Sequence, residues 1–307
     1  MRYADAVSFR RALEQRLKHG AAGDGARLVR NRKHVAFDRL LARLAATAPD
    51  RWLLKGGYAL DLRLRSGART TKDVDLDWRE VDEELLDTLF DAAEHDMGDY
   101  FIFSVERRAH PADRLEGSQR FLVSVSLAGR EFETFPLDIA VRAEPIIAYD
   151  TLTTADLLGF ADVAPVQVPA IRLERQIAEK LHAYTRTYEG DRHSSRTKDL
   201  VDIVLIADLE SLDAAALRDA IERTFATRGT HPLPQAVPAP PAEWSPPFRE
   251  LAAAVGLPTD LAAAHTVAVQ LLEPVLDGRI SSGTWDTEKR RWTREREESD
   301  LNGGRIE

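Results

Sequence analysis

Asp73 and Asp75 lie in a stretch where acidic and apolar residues alternate, Asp73-Val74-Asp75-Leu76-Asp77-Trp78. Such alternation is typical of a β-strand, and residues two apart on a strand point to the same face. Two carboxylates this close repel each other unless a cation lies between them, and Mg²⁺ prefers carboxylate oxygens. The pair therefore predicts a metal site, although an Asp-x-Asp on the solvent face of an edge strand is common. Asp77, at the end of the strand, is expected to be solvated.

A pair of glycines precedes this strand. Lys55-Gly56-Gly57 follows the short apolar strand Trp52-Leu53-Leu54 and leads into a helical stretch, Tyr58 to about Arg65. Glycines let backbone N–H groups approach a ligand closely, and a helix N-terminus favours phosphate. The turn alone is also compatible with an ordinary tight turn, and neither a P-loop nor a dinucleotide fingerprint occurs in the chain. Followed by an Asp-x-Asp strand, however, it predicts that a triphosphate and metal ions bind at one place.

Four further residues could take part in such a site. Asp138 lies inside the apolar strand Phe132 to Val141, where it is either a third carboxylate of the site or a solvated strand end. Lys180 lies on the predicted helix Ile171 to Thr187, as a phosphate-binding cation or as an ordinary surface lysine. Asp199 and Asp202 are three residues apart and share one helical face, either for catalysis or to stabilise the helix dipole. Their spacing does not show which of the two acids would be catalytic.

The order of the predicted elements indicates an α+β protein. Two N-terminal helices are followed by a strand, a helix, the acidic strand, a helix over Val81 to Ala93 and three strands. From about Leu152 the chain is predicted to be helical, with a buried stripe of Leu173, Ile177, Leu181, Tyr184 and Tyr188 on one helix. We expect three parts: residues 1–150, a helical domain over 151–285, and a loose charged tail over 286–307. The proline-rich segment 231–247 reads as an extended linker within the helical part.

Composition narrows the class of protein. The 307 residues include no cysteine, which excludes a disulfide framework, a thiolate zinc site and a cysteine nucleophile. No apolar run approaches the ~20 residues of a membrane helix, so no membrane association and a cytoplasmic location are expected. The formal net charge of −9 argues against indiscriminate nucleic-acid binding. A local basic segment still occurs near the N-terminus, as a solvated helix face or a phosphate-binding platform: Arg10, Arg11, Arg16, Lys18, Arg27, Arg30, Arg32 and Lys33. His182 is expected to be a surface or hydrogen-bonded residue.

Taken together, these motifs resemble the AbiEii/AbiGii nucleotidyltransferase toxins, a family that includes the MenT toxins. The resemblance is strongest in Leu54-Lys55-Gly56-Gly57-Tyr58-Ala59-Leu60 and in Arg69-Thr70-Thr71-Lys72-Asp73-Val74-Asp75-Leu76. It extends to Asp138, to Glu179-Lys180-Leu181-His182-Ala183 and to Arg196-Thr197-Lys198-Asp199-Leu200-Val201-Asp202. The matching segments cover most of residues 35–208 in the same order.

The resemblance implies a polymerase-β-like nucleotidyltransferase domain with a mixed sheet, followed by an α-helical domain. It also implies three sets of site residues. The nucleotide would bind to Lys55, Gly56, Gly57, Arg69 and Thr71. The metal ligands would be Asp73, Asp75 and Asp138. The catalytic residues would be Asp73, Asp75, Lys180, and Asp199 or Asp202.

The implied activity is transfer of a nucleoside monophosphate from an NTP, with two Mg²⁺ ions, to the 3′ acceptor end of tRNA. In MenT toxins the nucleotide is a pyrimidine, and the transfer stops translation. The basic N-terminal segment then becomes a candidate tRNA-contacting surface, and a cognate antitoxin is an expected partner. Two alternatives remain open: the acceptor is a protein or small-molecule hydroxyl, or the protein is a non-catalytic nucleotide-binding regulator.

Overall fold

The computed structural model describes residues 1–64, 69–79, 84–108, 118–142, 148–186 and 196–293. The chain divides into two units, Met1–Arg172 and Leu173 onward. The predicted α+β class is confirmed. Some residues about which predictions were made lie outside the described residues: Arg65, residues 81–83, Thr187, Tyr188 and the tail 294–307.

The first unit begins with two long helices, α1 over Ala6–Ala21 and α2 over Gly25–Thr47. An aspartate caps each N-terminus: Asp5 accepts from the backbone N–H of Ser8, and Asp24 accepts from those of Ala26 and Arg27. Such caps satisfy donors that have no partner inside the helix. Both helices agree with the two N-terminal helices that the sequence predicts.

A seven-stranded mixed sheet forms the centre of this unit. Its strands are β1 Trp52–Lys55, β2 Val74–Arg79, β3 Phe101–Arg108, β4 Ser118–Leu127, β5 Arg130–Arg142, β6 Tyr149–Thr153 and β7 Gln167–Ile171. Their spatial order is β3-β4-β5-β2-β1-β7-β6. The pairs β2–β5 and β1–β7 are parallel and the other pairs are antiparallel. The acidic strand β2 therefore lies near the middle of the sheet and not at its edge.

Two short helices complete the unit, α3 over Gly56–Leu64 and α4 over Leu85–Glu94. Helix α2 contacts β5, β7 and α4, and its apolar side chains enter the core. The ring of Phe37 meets those of Tyr58 and Phe135 edge-to-face there, with centroid distances of 4.9 Å and 4.7 Å respectively. This packing joins α2, α3 and β5, the elements nearest the predicted site.

The boundary between the units differs from the sequence prediction. Residues 1–150 were predicted as the first domain, with helices from Leu152, but the units divide between Arg172 and Leu173. The reason is that β6 and β7 extend the sheet, with β7 pairing in parallel with β1. Strand β7 contains Pro169, and a proline weakens the strand signal in a sequence.

The second unit is helical: α5 Leu173–Thr185, α6 Thr197–Leu209, α7 Ala214–Arg228, α8 Ser245–Ala254 and α9 Leu261–Leu276. The predicted stripe on α5 is confirmed for Leu173, Ile177, Leu181 and Tyr184, which are all buried. The proline-rich segment, predicted as an extended linker over 231–247, has no helix or strand up to Pro241, but its last six residues form a 3₁₀ turn, Ala242–Trp244, and the start of α8. The segment also packs on the unit. Tyr184 donates a hydrogen bond of 2.6 Å to the carbonyl of Pro238.

The first part of the charged tail is ordered, which corrects the prediction of a loose tail from residue 286. A hairpin forms from β8 Thr284–Asp286 and β9 Arg291–Thr293. Trp285 is 1% exposed and donates to the carbonyl of Ala207, and Trp292 donates to that of Leu271. These two tryptophans attach the hairpin to α6 and α9, although charged residues surround them in the sequence.

Across the described ranges, no helix has both the length and the apolar character needed to cross a bilayer.

A buried charge cluster joins α2 to the start of β3. Asp99 is 1% exposed and accepts hydrogen bonds from Arg39 (2.7 Å) and from both terminal nitrogens of Arg43 (3.0 and 2.8 Å). Burial raises the pKa of Asp99, but the bonds and charges of Arg43 and Arg39 outweigh it and hold the pKa below its usual value. Arg43 also donates to the carbonyl of Phe101.

Asp99→Ala is expected to lower the free energy of unfolding by about 3–5 kcal/mol, because it leaves two buried guanidinium groups without their carboxylate. Asp96→Ala is the matched control: Asp96 is exposed and accepts one hydrogen bond, from the N–H of Gly98. Its loss should cost about 1 kcal/mol or less. Urea unfolding of both variants measures the difference, and equal losses would contradict the assignment.

Candidate active site

The glycine turn is confirmed as a junction between β1, which ends at Lys55, and α3, which begins at Gly56. Gly56 has φ +67°, a left-handed conformation that favours glycine. A Cβ at this position would overlap the carboxylate of Asp75, approaching its Cγ to 2.7 Å. Glycine is thus required for two reasons, backbone conformation and the space that Asp75 occupies.

The second glycine contacts the segment that leads into β2. A Cβ on Gly57 would lie 2.7 Å from Oγ1 of Thr71 and 3.6 Å from a terminal nitrogen of Arg69. Thr71 is 3% exposed, and its hydroxyl donates to the carbonyl (3.2 Å) and to Oδ1 (3.1 Å) of Asp73. The structure therefore places four of the predicted site residues, Gly57, Arg69, Thr71 and Asp73, next to one another.

Strand register aligns four charged residues across the sheet. Lys55 on β1 is opposite Asp75 on β2, Asp75 is opposite Asp138 on β5, and Asp138 is opposite Arg120 on β4. Register partners on adjacent strands share a face and lie about 5 Å apart. Two carboxylates thus lie side by side between two cations.

Lys55 on β1 forms an ion pair with Asp77 on β2. Its Nζ lies 2.5 Å from Oδ1 of Asp77, which is 5% exposed. The prediction that Asp77 is solvated is therefore wrong: β2 lies inside the sheet, and a buried carboxylate there needs a cation. Lys55, predicted to bind the nucleotide, has this ion pair in the structure.

Arg120 is a site residue that the sequence analysis missed. Its Nε and a terminal nitrogen donate to the two oxygens of Asp138 at 2.7 and 2.8 Å, a bidentate pair. This hydrogen bond, and then the charges of Asp138, Asp73 and Asp75, raise the pKa of Arg120 above its ordinary value despite partial burial. Only the β4–β5 pairing, which a sequence does not show, reveals that Arg120 faces Asp138.

The residues present fit a divalent cation in part. Asp73 and Asp75 supply the hard oxygen donors that Mg²⁺ prefers, and both lie close enough to Arg120 to act on its charge. Among the residues that the structure describes, however, no three His, Asp or Glu side chains are arranged to hold a metal ion. Asp138, the predicted third ligand, is bound through both oxygens to Arg120.

A buried polar network connects helix α3 to helix α2. Tyr58, the residue after the glycine turn, donates to Asp38 on α2. One turn further along α3, Asp61 accepts from Arg30 (3.2 Å to Nε) and lies 2.7 Å from His34 Nε2. All these partners lie on α2, so the network fixes α3, and with it the turn, to the long helix.

Burial raises the pKa of Asp38 to about 8, although the hydrogen bond from Tyr58 and the charge of Arg39 act in the opposite direction. The carboxyl is therefore mainly protonated in the folded protein at pH 7 and is a neutral part of the network. A neutral acid can accept the Tyr58 hydroxyl and still donate its own proton.

The remaining predicted residues lie in the second unit. Lys180 on α5 is 7% exposed; its Nζ lies 2.5 Å from Asp202 and 3.7 Å from Asp199, both on α6. Asp202 is fully buried. The alternative of a surface lysine is thereby excluded, and the predicted common face of the two acids is confirmed. Their catalytic roles stay predictions.

His182, two residues beyond Lys180, is buried and hydrogen-bonded. Its Nδ1 faces Arg228 at 3.2 Å and its Nε2 lies 2.9 Å from the hydroxyl of Thr230, which in turn contacts His231 at 3.0 Å. Burial, followed by the charge of Arg228, lowers the pKa of His182 to about 3. The imidazole is therefore neutral and holds the end of α7 against α5.

The basic N-terminal segment is largely used inside the first unit. Arg10, for example, pairs with Glu14 and donates to the carbonyls of Leu127, Arg130 and Glu131. In all, five of its eight cations contact acids, carbonyls or rings of this unit: Arg10, Arg16, Arg30, Arg32 and Lys33. Arg11, Lys18 and Arg27 are exposed. The segment is thus mainly a structural element.

Gly56→Ala is expected to abolish divalent-cation binding, because the new methyl group displaces Asp75. Gly129→Ala is the control: it has the same left-handed φ, +69°, but a Cβ there meets nothing within 4 Å. Both variants should lose about 1–2 kcal/mol of stability through backbone strain. Only Gly56→Ala should lose Mn²⁺ binding in calorimetric titration, and equal binding by the two variants would contradict the contact.

Asp38→Asn is expected to flatten the pH dependence of stability. The carboxyl has a pKa near its ordinary value of 3.8 when unfolded and about 8 when folded. Between these values the folded state binds the extra proton, so stability falls as pH rises, by up to about 1.4 kcal/mol per pH unit. Asparagine cannot ionise and can still accept from Tyr58. Urea unfolding at pH 5, 7 and 9 should show the difference between wild type and variant, and parallel curves would refute it.

Comparisons with known proteins identify the family of this chain. A family model described as the nucleotidyl transferase AbiEii toxin of type IV toxin–antitoxin systems matches residues 39–268. No curated protein matches the sequence. The fold is similar to that of MenT4, a nucleotidyltransferase toxin from Mycobacterium tuberculosis, with TM-score 0.57 and 20% identity over 90% of this chain and 95% of that one. JHP933 from Helicobacter pylori aligns at TM-score 0.43 and 17% identity over 80% of this chain and 92% of that one. With most of its length matched, from the second half of α2 to the middle of α9, the chain belongs to the AbiEii family of nucleotidyltransferase toxins.

Proposed function

We propose that this protein transfers a nucleoside monophosphate from a pyrimidine nucleoside triphosphate to the 3′ end of tRNA and thereby blocks translation. Its family is one of nucleotidyltransferase toxins of type IV toxin–antitoxin systems, which supports both the transfer and a cognate antitoxin as partner. The observation that carries the chemistry is the contact between Gly56 and the carboxylate of Asp75. Phosphates bound at the turn would lie beside the acids that attract a cation.

In the proposed reaction the 3′-hydroxyl of the RNA attacks the α-phosphorus in line with the leaving group. The new oxygen–phosphorus bond forms as the bond to the bridging oxygen breaks, pyrophosphate leaves, and the hydroxyl proton passes to a carboxylate of the site. Asp73 and Asp75 would hold two Mg²⁺ ions, which supply positive charge to the hydroxyl and to the leaving group. The backbone N–H groups of Gly56 and Gly57 would hold the phosphates.

Three residues of the second unit keep the roles that the family resemblance implies for them. Lys180 would offset the charge that develops on pyrophosphate, and Asp199 or Asp202 would be the acid of the final motif. The pairing of Lys180 with Asp202 supports a defined position for its ammonium group. We place the reaction in the cytoplasm, because both NTPs and tRNA are present in that compartment.

A second candidate keeps the chemistry and changes the acceptor to a protein hydroxyl. Two observations favour it: the formal net charge is −9, and five of the eight cations in the basic segment have contacts within the first unit. Neither provides the broad basic surface that RNA-binding proteins commonly use.

Incubation with Mg²⁺, total tRNA and each labelled NTP in turn is expected to label tRNA with one pyrimidine nucleotide. Asp75→Asn should reduce the rate by at least about a thousandfold, since it removes a metal ligand at the reacting centre. Asp91→Asn, which changes an exposed acid on α4, should retain wild-type activity.

Label in protein in the absence of RNA would establish the second candidate. If Asp75→Asn retained turnover close to that of wild type, the assignment of the site itself would fail. Absence of Mg²⁺–NTP binding by the wild type would instead favour a non-catalytic role.

A further inference from the structure

Arg120 and Asp138 form a bidentate ion pair that occupies the carboxylate predicted to bind the metal. The guanidinium takes both oxygens of the carboxylate in a fork, at 2.7 and 2.8 Å. The side chain of Asp138 is 7% exposed, whereas that of Arg120 is 24% exposed. The acid is therefore the buried partner, and the cation is the partner that solutes can reach.

Release of Asp138 from Arg120 would be unfavourable. Asp138 is the register partner of Asp75 on the adjacent parallel strand, so their Cα atoms lie about 5 Å apart and their side chains share one face. Without Arg120, Asp138 would be a buried charge next to a like charge, which disfavours the ionised form strongly. The stable arrangement therefore keeps Asp138 bound to the arginine.

Arg120 has donors to spare in this arrangement. A guanidinium carries five N–H donors in a planar fork, and two of them bond to Asp138. Among the residues that the structure describes, the other three have no acceptor, and planar forks of this kind suit phosphate oxygens. Asp75 is opposite Asp138 on the same face, and its charge and that of Asp73 act on Arg120. The cation and the triphosphate are proposed to bind at these two acids.

We propose that Arg120 binds a phosphate group of the nucleotide and that Asp138 positions Arg120 and does not ligate the metal. The metal is then held by Asp73 and Asp75. This assignment rests on the proposed nucleotidyltransferase function and replaces the family-based role of Asp138. In this arrangement Arg120 adds a fixed positive charge near Asp73 and Asp75, and Asp138 keeps its fork in one orientation.

Equilibrium binding separates the two roles of Asp138. Mn²⁺ binding is measured by calorimetry without nucleotide, and binding of a non-hydrolysable pyrimidine triphosphate analogue is measured with Mg²⁺ present. The variants are Asp138→Asn, Arg120→Gln, Arg120→Lys and Asp75→Asn. Arg107→Gln is the matched control, because Arg107 is an exposed cation on the neighbouring strand β3. Thermal unfolding of each variant reports on the fold.

We expect Asp138→Asn to retain wild-type Mn²⁺ affinity, whereas Asp75→Asn loses it. Asp138→Asn, Arg120→Gln and Arg120→Lys should each weaken the analogue by about tenfold or more, because a charged bidentate contact to phosphate is lost or misplaced. Arg120→Lys keeps the positive charge beside Asp138 and so protects the fold. Arg107→Gln should behave as wild type in both assays.

Loss of Mn²⁺ binding in Asp138→Asn to the extent seen in Asp75→Asn would make Asp138 a metal ligand and overturn the inference. Wild-type affinity for the analogue in Arg120→Lys would equally overturn it. Failure of the wild-type protein to bind the analogue at all would refute the proposed function, which is a different result. If Arg120→Gln does not fold, the lysine variant and Asp138→Asn still decide the question.

Discussion

The close approach of the glycine turn to Asp75 is the constraint on which the first unit depends. Gly56 is the first residue of α3, and a side chain there would occupy the position of the Asp75 carboxylate. The approach is possible because β1 and β2 are adjacent antiparallel strands, with Lys55 opposite Asp75. The pairing of β1 with β2 and the turn from β1 into α3 thus fix the relative positions of the glycines, Asp75 and the N-terminus of α3.

A second requirement follows from this arrangement, because it gathers charge inside a sheet. Buried carboxylates destabilise a fold unless cations accompany them. On this face Lys55 pairs with Asp77 and Arg120 pairs with Asp138. The same solution appears at Asp99, where Arg39 and Arg43 compensate a buried acid far from the glycine turn in sequence. The Asp99 cluster is enclosed, whereas Arg120 remains partly exposed, and this difference distinguishes Arg120 as a candidate binding residue.

The polar network under α3 connects stability to the site. Asp38 and Asp61 both take part in the contacts between α2 and α3. Burial keeps Asp38 neutral, whereas Asp61 is paired with Arg30 and His34. A neutral Asp38 can bond to Tyr58 without a counter-ion, at the cost of a fold that loses stability as pH rises. The network positions the helix that carries the turn, and a rigid support of this kind is what a preorganised phosphate site requires.

The sequence by itself determined the local elements and the identity of the acids. The alternation around Asp73 and Asp75, the Gly56-Gly57 turn and the apolar stripe of α5 are patterns of neighbouring residues, and local sterics and periodicity make them readable. Strand pairing decided the rest. It placed Asp77 inside the sheet, attached β6 and β7 to the first unit, paired Trp285 with Trp292 in a hairpin, and set Arg120 opposite Asp138. Partners so distant in the chain meet through hydrogen-bond register and burial, which belong to the folded chain as a whole and leave no local signal in the residues themselves.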